Sequence, residues 1–160
     1  MGKGTTFKIY LPRTEEVVDE TGPGQSAVKA QQGTETLLLV EDEEAVRALV
    51  RNVLKDKGYR VLEASRGEEA LELAEQYWGP IDMLVTDVVM PQMSGRELAR
   101  RLVNLHPQIK VLYISGYADN AVWYQGGLDC GVAFLQKPFS PEVLARKVRE
   151  VLGGPPHERS

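Results

Sequence analysis

Apolar and polar positions along the chain sort into two alternating kinds of segment. Short apolar runs occur at Leu37–Val40, Val61–Ala64, Met83–Thr86, Val111–Ile114 and Val132–Leu135. Several of them are apolar at consecutive positions, the pattern of strands buried on both faces of a parallel sheet. Between the runs the apolar period lengthens to that of a helix. From Asp42 onward, Val46, Leu49, Val50, Val53 and Leu54 recur on one face. Ser65 with Glu68, and Ser94 with Glu97, form capping-box patterns, in which a hydroxyl and an acid three residues later satisfy free N–H groups. Ser140-Pro141 reads as an N-cap followed by proline at the first helical position. Leu144, Val148 and Val151 then share a face until Gly153-Gly154 stops the helix.

Strand followed by helix, repeated five times, predicts an α/β sandwich, a (βα)5 unit with right-handed crossovers and a central parallel five-stranded sheet. The expected strand order is the flavodoxin-like 2-1-3-4-5. In such sheets ligands bind beyond the carboxyl ends of the strands, where the order switches between strands one and three. The fourth helical stretch, residues 118–131 (ADNAVWYQGGLDCG), is the weak element. It has few strong helix formers and a central Gly pair, each Gly costing roughly 1 kcal/mol relative to Ala, so a short or mobile helix is expected.

The patterned core of about 120 residues, 34–152, has a common domain size. Residues 14–33 are polar, rich in Gly, Gln and Glu, and without periodicity, and read as a flexible linker. The tail 153–160 reads as disordered. With 42% apolar and 26% charged residues the composition is that of a globular protein. The formal net charge is -4 and the basic residues are scattered, so nucleic-acid binding, which wants a basic stripe, is not expected. No apolar run approaches the roughly 20 residues that span a bilayer, and no signal-peptide core is present; no membrane contact is expected. Cys130 is the single cysteine, which rules out an internal disulfide and fits a reducing, cytoplasmic setting. Met1-Gly2 with Thr6 matches the loose N-myristoylation pattern, but the segment has a better account below.

The predicted topology brings a specific set of groups to one rim. Strand one ends in Glu41-Asp42, strand three in Asp87, strand four in Ser115-Gly116, and strand five in Lys137-Pro138. Two like charges at 4 Å repel by about 4 kcal/mol at an effective dielectric near 20. A divalent cation relieves such repulsion, and hard oxygen ligands favour Mg²⁺, which takes one or two carboxylates plus phosphate oxygens. A carboxylate nucleophile, a metal, a hydroxyl and a lysine together supply the positioning and charge neutralisation that phosphoryl transfer needs. Each residue also has a plainer reading: Asp42 as an N-cap, Glu41 as a solvated strand end, Asp87 as a turn acid, Ser115 as a loop cap, Lys137 as a surface charge. Their convergence on one rim favours the phosphoryl site. His106, before Pro107, and His157, in the tail, carry no such signal, and two histidines with one cysteine do not make a zinc site.

Four fragments, LLLVEDEE, DMLVTDVVMPQMSG, VLYISGYA and FLQKPF, in this order and spacing, resemble the response-regulator receiver domain over about residues 34–152. The resemblance implies that Asp87 is the phosphoacceptor. Glu41 and Asp42 match the acidic pair that holds Mg²⁺, with Asp87 and the backbone carbonyl of Val89 completing the protein ligands. Ser115 matches the switch hydroxyl, Lys137 the phosphate-pairing lysine, and Phe134 the aromatic that swings inward on activation. The peptide bond to Pro138 is expected to be cis, and Pro91 and Gly95 match loop positions after the acceptor. Ser at 115 for Thr and Phe at 134 for Tyr are substitutions within type. Val89 and Tyr117 fall at positions bordering the path of a hydrolytic water. The partner face is expected around the fourth helix, fifth strand and fifth helix, and the partner is a histidine kinase or phosphotransfer protein.

The segment GKGTTFKIYLPR resembles the last glycine-rich box and final strand of a histidine-kinase ATPase domain. Residues 1–13 are therefore read as a remnant of that domain, and the chain as the C-terminal receiver of a hybrid sensor kinase. The rest of the ATPase domain is absent, so no ATP binding is expected. The alternatives are a free-standing single-domain response regulator, an aspartate-nucleophile phosphatase and a flavin module. The phosphatase wants D-x-D after strand one, and the flavin module wants a Ser/Thr/Gly-rich loop there; the chain has EDEEA. As a chain it reads mainly as a signalling module that catalyses its own phosphorylation and dephosphorylation.

Overall fold

The computed structural model describes residues 33–116 and 133–153. They form β1 (Thr36–Val40), α1 (Glu44–Asp56), β2 (Arg60–Ala64), α2 (Gly67–Gln76), β3 (Met83–Asp87), α3 (Gly95–Leu105), β4 (Lys110–Ser115), β5 (Ala133–Gln136) and α4 (Pro141–Gly153). The five strands are parallel and lie in the order β2-β1-β3-β4-β5, the expected flavodoxin-like arrangement. The helix expected over residues 118–131, the linker residues 14–32, the tail beyond Gly153, Val132 and Tyr117 lie outside the described residues.

The consecutive apolar positions of the strands serve two cores. Leu37 and Leu39 of β1, with Met83 and Val85 of β3, face one core with Val50, Val53 and Leu54 of α1 and Leu144 and Val148 of α4. Leu38, Val40 and Leu84 face the other, with Ala70 and Ala74 of α2 and Leu98, Ala99 and Leu102 of α3. Side chains alternate across a strand, so a strand covered on both faces is apolar throughout; every residue of β1 and β3 is buried. Leu49 departs from the expected α1 face. It is half exposed, because the face that packs is centred on Val50, Val53 and Leu54.

The helix ends refine the capping patterns. Ser94 caps α3, its side chain accepting from the Glu97 N–H at 3.3 Å, while the Glu97 carboxylate turns away to Arg100 and Arg101. At α2 the expected Ser65–Glu68 box is not formed. The N-cap is Arg66, without a side-chain cap. The acid at the third helical position is then Glu69, and its carboxylate accepts both the Ser65 N–H at 2.7 Å and the Ser65 hydroxyl at 2.9 Å. The start is one residue later than the pattern implied. Pro141 opens α4 as expected, and Ser140 Oγ accepts from Val143 N–H at 3.3 Å. Gly58, at φ 90°, ends α1. Gly58 N–H donates to Lys55 O and Tyr59 N–H to Leu54 O, the paired bonds of a Schellman turn, which needs a left-handed residue there.

Candidate phosphoacceptor site

The carboxyl ends of β1, β3, β4 and β5 meet at one rim, and each delivers a side chain. Glu41 follows β1 directly and is 2% exposed, whereas Asp42 beside it is exposed. The two acids are held in different ways. Arg47 Nη1 donates to the Glu41 carbonyl oxygen at 2.6 Å, tying the first turn of α1 to the strand end. Glu41 Oε1 accepts the Glu43 N–H at 3.2 Å. Asp42 does not cap α1: the N-cap is Glu43, with no side-chain bond. Its plainer reading as a helix cap is therefore not what the structure has.

Asp87 is the last residue of β3. Its Oδ1 accepts the Val89 N–H at 3.0 Å and its Oδ2 accepts from Lys137 Nζ at 2.7 Å. Lys137 also donates to Glu41 Oε2 at 3.1 Å. One ammonium thus bridges two carboxylates whose residues lie 50 and 96 positions away in sequence. Lys137 follows β5; its N–H donates to the Ser115 carbonyl at 2.7 Å, which carries the β4–β5 pairing to the rim. The Lys137–Pro138 peptide bond is cis, as expected. Ser115 ends β4 with no exposed surface, and its hydroxyl donates to the Gly116 carbonyl at 3.0 Å.

Carboxylate oxygens of Glu41, Asp42 and Asp87 all lie within 4.8 Å of one another. Three carboxylates against one ammonium leave the cluster short of positive charge. The imbalance registers on Glu41: burial, reinforced by the charge of Asp87, raises its pKa, and the Lys137 bonds and the Glu43 N–H offset only part of that. Burial works against the Lys137 ammonium, but its bonds to Asp87 and Glu41 outweigh that and hold its pKa above the ordinary lysine value. A hard cation with oxygen ligands suits this donor set.

The loop after β3 is positioned by contacts that the sequence did not reveal. Thr86, fully buried, donates its hydroxyl to the Asp87 carbonyl at 3.0 Å; a lone threonine inside an apolar run was the signal available. Gly95, expected only as a loop position, is the first residue of α3. Its N–H donates to Val88 O at 3.0 Å, and a Cβ there would overlap the Asp87 carbonyl oxygen. Gln92 takes φ 70° in the same loop, a region that non-glycine residues seldom adopt. Pro91 is exposed and accepts the Met93 N–H at 2.8 Å. Val89 is largely exposed beside the cluster. Phe134 is half-buried against the α2–α3 core, opposite Tyr113 in the β4–β5 register.

The Response regulator receiver domain family matches residues 37–149. The chain is 45% identical over 159 residues to the sensor kinase CckA of Brucella abortus (strain 2308), an alignment covering 95% of this chain and 17% of the kinase. The chain therefore spans only a small part of that relative. It is 33% identical over 116 residues to the response regulator receiver protein CpdR of the same organism, covering 72% of this chain and 95% of CpdR. Among solved structures, the receiver domain of the hybrid histidine kinase CckA superposes with a TM-score of 0.62 at 38% identity, covering 73% of this chain and 98% of that one. A response regulator receiver protein from Sinorhizobium medicae WSM419 gives 0.65 at 31% identity, covering 74% and 94%. Among the described residues no helix is long and apolar enough to cross a membrane. Fold, rim and these similarities lead to one conclusion: the chain belongs to the response regulator receiver domain family, a domain of two-component signalling that works with kinases or phosphotransfer proteins.

Proposed function

We propose that Asp87 accepts a phosphoryl group from a histidine kinase or phosphotransfer protein, and that Glu41, Asp42, Asp87 and the Val89 carbonyl hold the Mg²⁺ this requires. The observation that carries the reading is the pairing of Lys137 Nζ with Asp87 Oδ2 at 2.7 Å inside a cluster of three carboxylates within 4.8 Å. Bound Mg²⁺ supplies charge neutralisation for the phosphoryl oxygens and for the crowded acids. The chain's own groups do the rest. The Val89 N–H and the Lys137 ammonium each hold one oxygen of Asp87, which orients the carboxylate for in-line attack on phosphorus. A bond forms from a carboxylate oxygen to phosphorus as the donor's bond to phosphorus breaks, leaving an acyl phosphate. Lys137 then pairs with a phosphoryl oxygen, and the Ser115 hydroxyl turns to another. A group shifts a conformational equilibrium only through contacts that differ between the two states; these two contacts are the difference, and Phe134 fills the space that Ser115 leaves.

In this reading residues 34–152 are the receiver, in a cytoplasmic setting, and residues 1–13 are a remnant of a kinase ATPase domain, joined by the linker 14–33 and followed by the tail 153–160. The breadth of the alignment to the sensor kinase, 95% of this chain, supports a receiver that follows a kinase core. Gly33, where the linker ends, is buried and donates to Lys57 O at 2.8 Å. The test is a small-molecule phosphodonor with Mg²⁺, read by intact mass. One phosphate should be added, and Asp87→Asn should abolish it; an Asn variant that labels normally would overturn the assignment.

A further inference from the structure

Helices α2 and α3 lie side by side on one face of the sheet. They run in the same direction, because each returns from the end of one parallel strand to the start of the next. His106, the C-cap of α3, reaches the Ala74 carbonyl of α2 at 3.3 Å, which fixes their relative height. Both helices rise equally per residue. Arg100 and Arg101, six and five residues before His106, therefore stand level with Glu68 and Glu69, six and five before Ala74.

The outer surfaces of the two helices differ in sign. Glu72 lies two residues from buried Ala70 and Ala74, and Arg100 two from buried Leu98 and Leu102. Two residues turn a helix through about 200°, so both side chains face away from the sheet. Glu68 and Glu72 are exposed, and neither is in an ion pair among the described residues. Arg100 and Arg101 share a single carboxylate, that of Glu97, at 2.7 and 2.8 Å, which leaves a positive surplus on α3. Among the described residues no ion pair crosses from α2 to α3. An acidic strip and a basic strip thus run next to each other and both look outward.

The same face ends in exposed apolar side chains. Trp78 is 103% exposed and Leu105, the last residue of α3, 47%. Tyr77, the C-cap of α2, has an extended backbone at φ -81° and ψ 118°, and successive side chains of such a backbone point to opposite sides. Tyr77 turns toward the sheet, its hydroxyl 3.4 Å from Thr36 Oγ1 and 3.1 Å from Arg60 Nη1, and Trp78 turns out. Tryptophan is highly buried on average, so one standing in water beside a second exposed apolar side chain marks a contact surface.

We propose that this face binds a second copy of the chain about a two-fold axis parallel to the helices. Half a turn about such an axis lays α2 on α3 of the second copy and α3 on its α2 at once, the self-matching required of a two-fold contact. The rotation preserves height. Glu68 and Glu72 then meet Arg100 and Arg101 of the second copy, and Trp78 comes to the rim where the second copy's Leu105 ends α3. The inference does not depend on the phosphoacceptor reading, since it concerns side chains away from the acidic cluster.

The test is sedimentation equilibrium of the full chain over a range of concentrations, at low and high salt. Mass should rise toward the dimer with concentration and fall back as salt screens the strips. Glu68→Arg with Glu72→Arg should raise the dissociation constant about tenfold or more, because like charges then face each other. Arg100→Glu with Arg101→Glu should do the same. Mixed one to one, the two variants are complementary and should associate as the parent does; circular dichroism confirms that each is folded. Trp78→Ser, at a wholly exposed position, should weaken association severalfold with every charge in place. A parent that stays monomeric overturns the proposal. So does association that either charge reversal or Trp78→Ser leaves unchanged, or a failure of the mixed variants to pair.

Discussion

The carbonyl oxygen of Asp87 occupies the place that a side chain at Gly95 would need: the first residue of α3 lies against the backbone of the last residue of β3, and a Cβ there would overlap that oxygen. The contact sets the length of the loop between them and so the direction in which Asp87 presents its carboxylate. Both sides of the contact are backbone or buried, so neither yields easily. Gly95→Ala should lower stability by about 1–3 kcal/mol, the usual range for overpacking, and slow phosphorylation. Urea unfolding and the rate of phosphodonor labelling check it. An unchanged midpoint and rate would mean that α3 slides freely away from β3.

Lys137 is, among the described residues, the one ammonium that bridges Asp87 and Glu41. Its removal leaves two largely buried carboxylates without a cation. Lys137→Ala should cost about 1–3 kcal/mol, the order expected for a buried polar group left unpaired, and Mg²⁺ should restore more stability to the variant than to the parent. Thermal melts with chelator and with Mg²⁺ decide this. The variant should still accept phosphate but show a weaker conformational response; equal metal increments in the two proteins would contradict the charge argument.

Burial raises the Tyr113 phenol to about 12, against a small opposing influence from Arg96. The folded value lies above the unfolded value of about 10. The contribution is therefore fully present below pH 10 and is lost as pH rises from there toward 12. Tyr113→Phe should flatten the fall in stability over that window, as measured by urea midpoints at stepped alkaline pH. A slope identical to that of the parent would show that the phenol is not what the alkaline limb reports.

Val89 lies beside Asp87 with its side chain largely in solvent and no group that orients a water. Hydrolysis of the acyl phosphate needs a water in line with phosphorus, and positioning supplies several kcal/mol of such a barrier. We expect slow self-dephosphorylation, with Val89→Asn shortening the phosphorylated lifetime; Tyr117→Glu, at a position outside the described residues, should act in the same direction. Phosphate loss followed by mass after the donor is removed checks this. A parent that loses its phosphate faster than both variants would defeat it.

What the sequence determined by itself was local. Consecutive apolar residues at 37–40 and 83–85 mark strands covered on both faces, because alternate side chains must each find a core. Ser94 before α3 and Pro141 at the start of α4 mark helix starts, because capping acts within one turn. Glu41-Asp42, Asp87, Ser115 and Lys137 were legible as strand-end residues for the same reason. Where such short-range signals compete, the tertiary structure decided. Ser65 bonds Glu69 rather than Glu68 because α2 starts at Gly67, whose first turn rests on Met93. Leu49 carries the helix period of α1 yet stays half in solvent, because the face that packs runs through Val46, Val50, Val53 and Leu54 and leaves Leu49 at its edge. The same holds at the rim, where the strand order β2-β1-β3-β4-β5 sets Lys137 against Glu41, 96 residues away, and against Asp87. No periodicity encodes a contact across such a separation: it exists because crossovers stack the carboxyl ends of β1, β3 and β5 on one side, where the part-buried amine pairs with both acids.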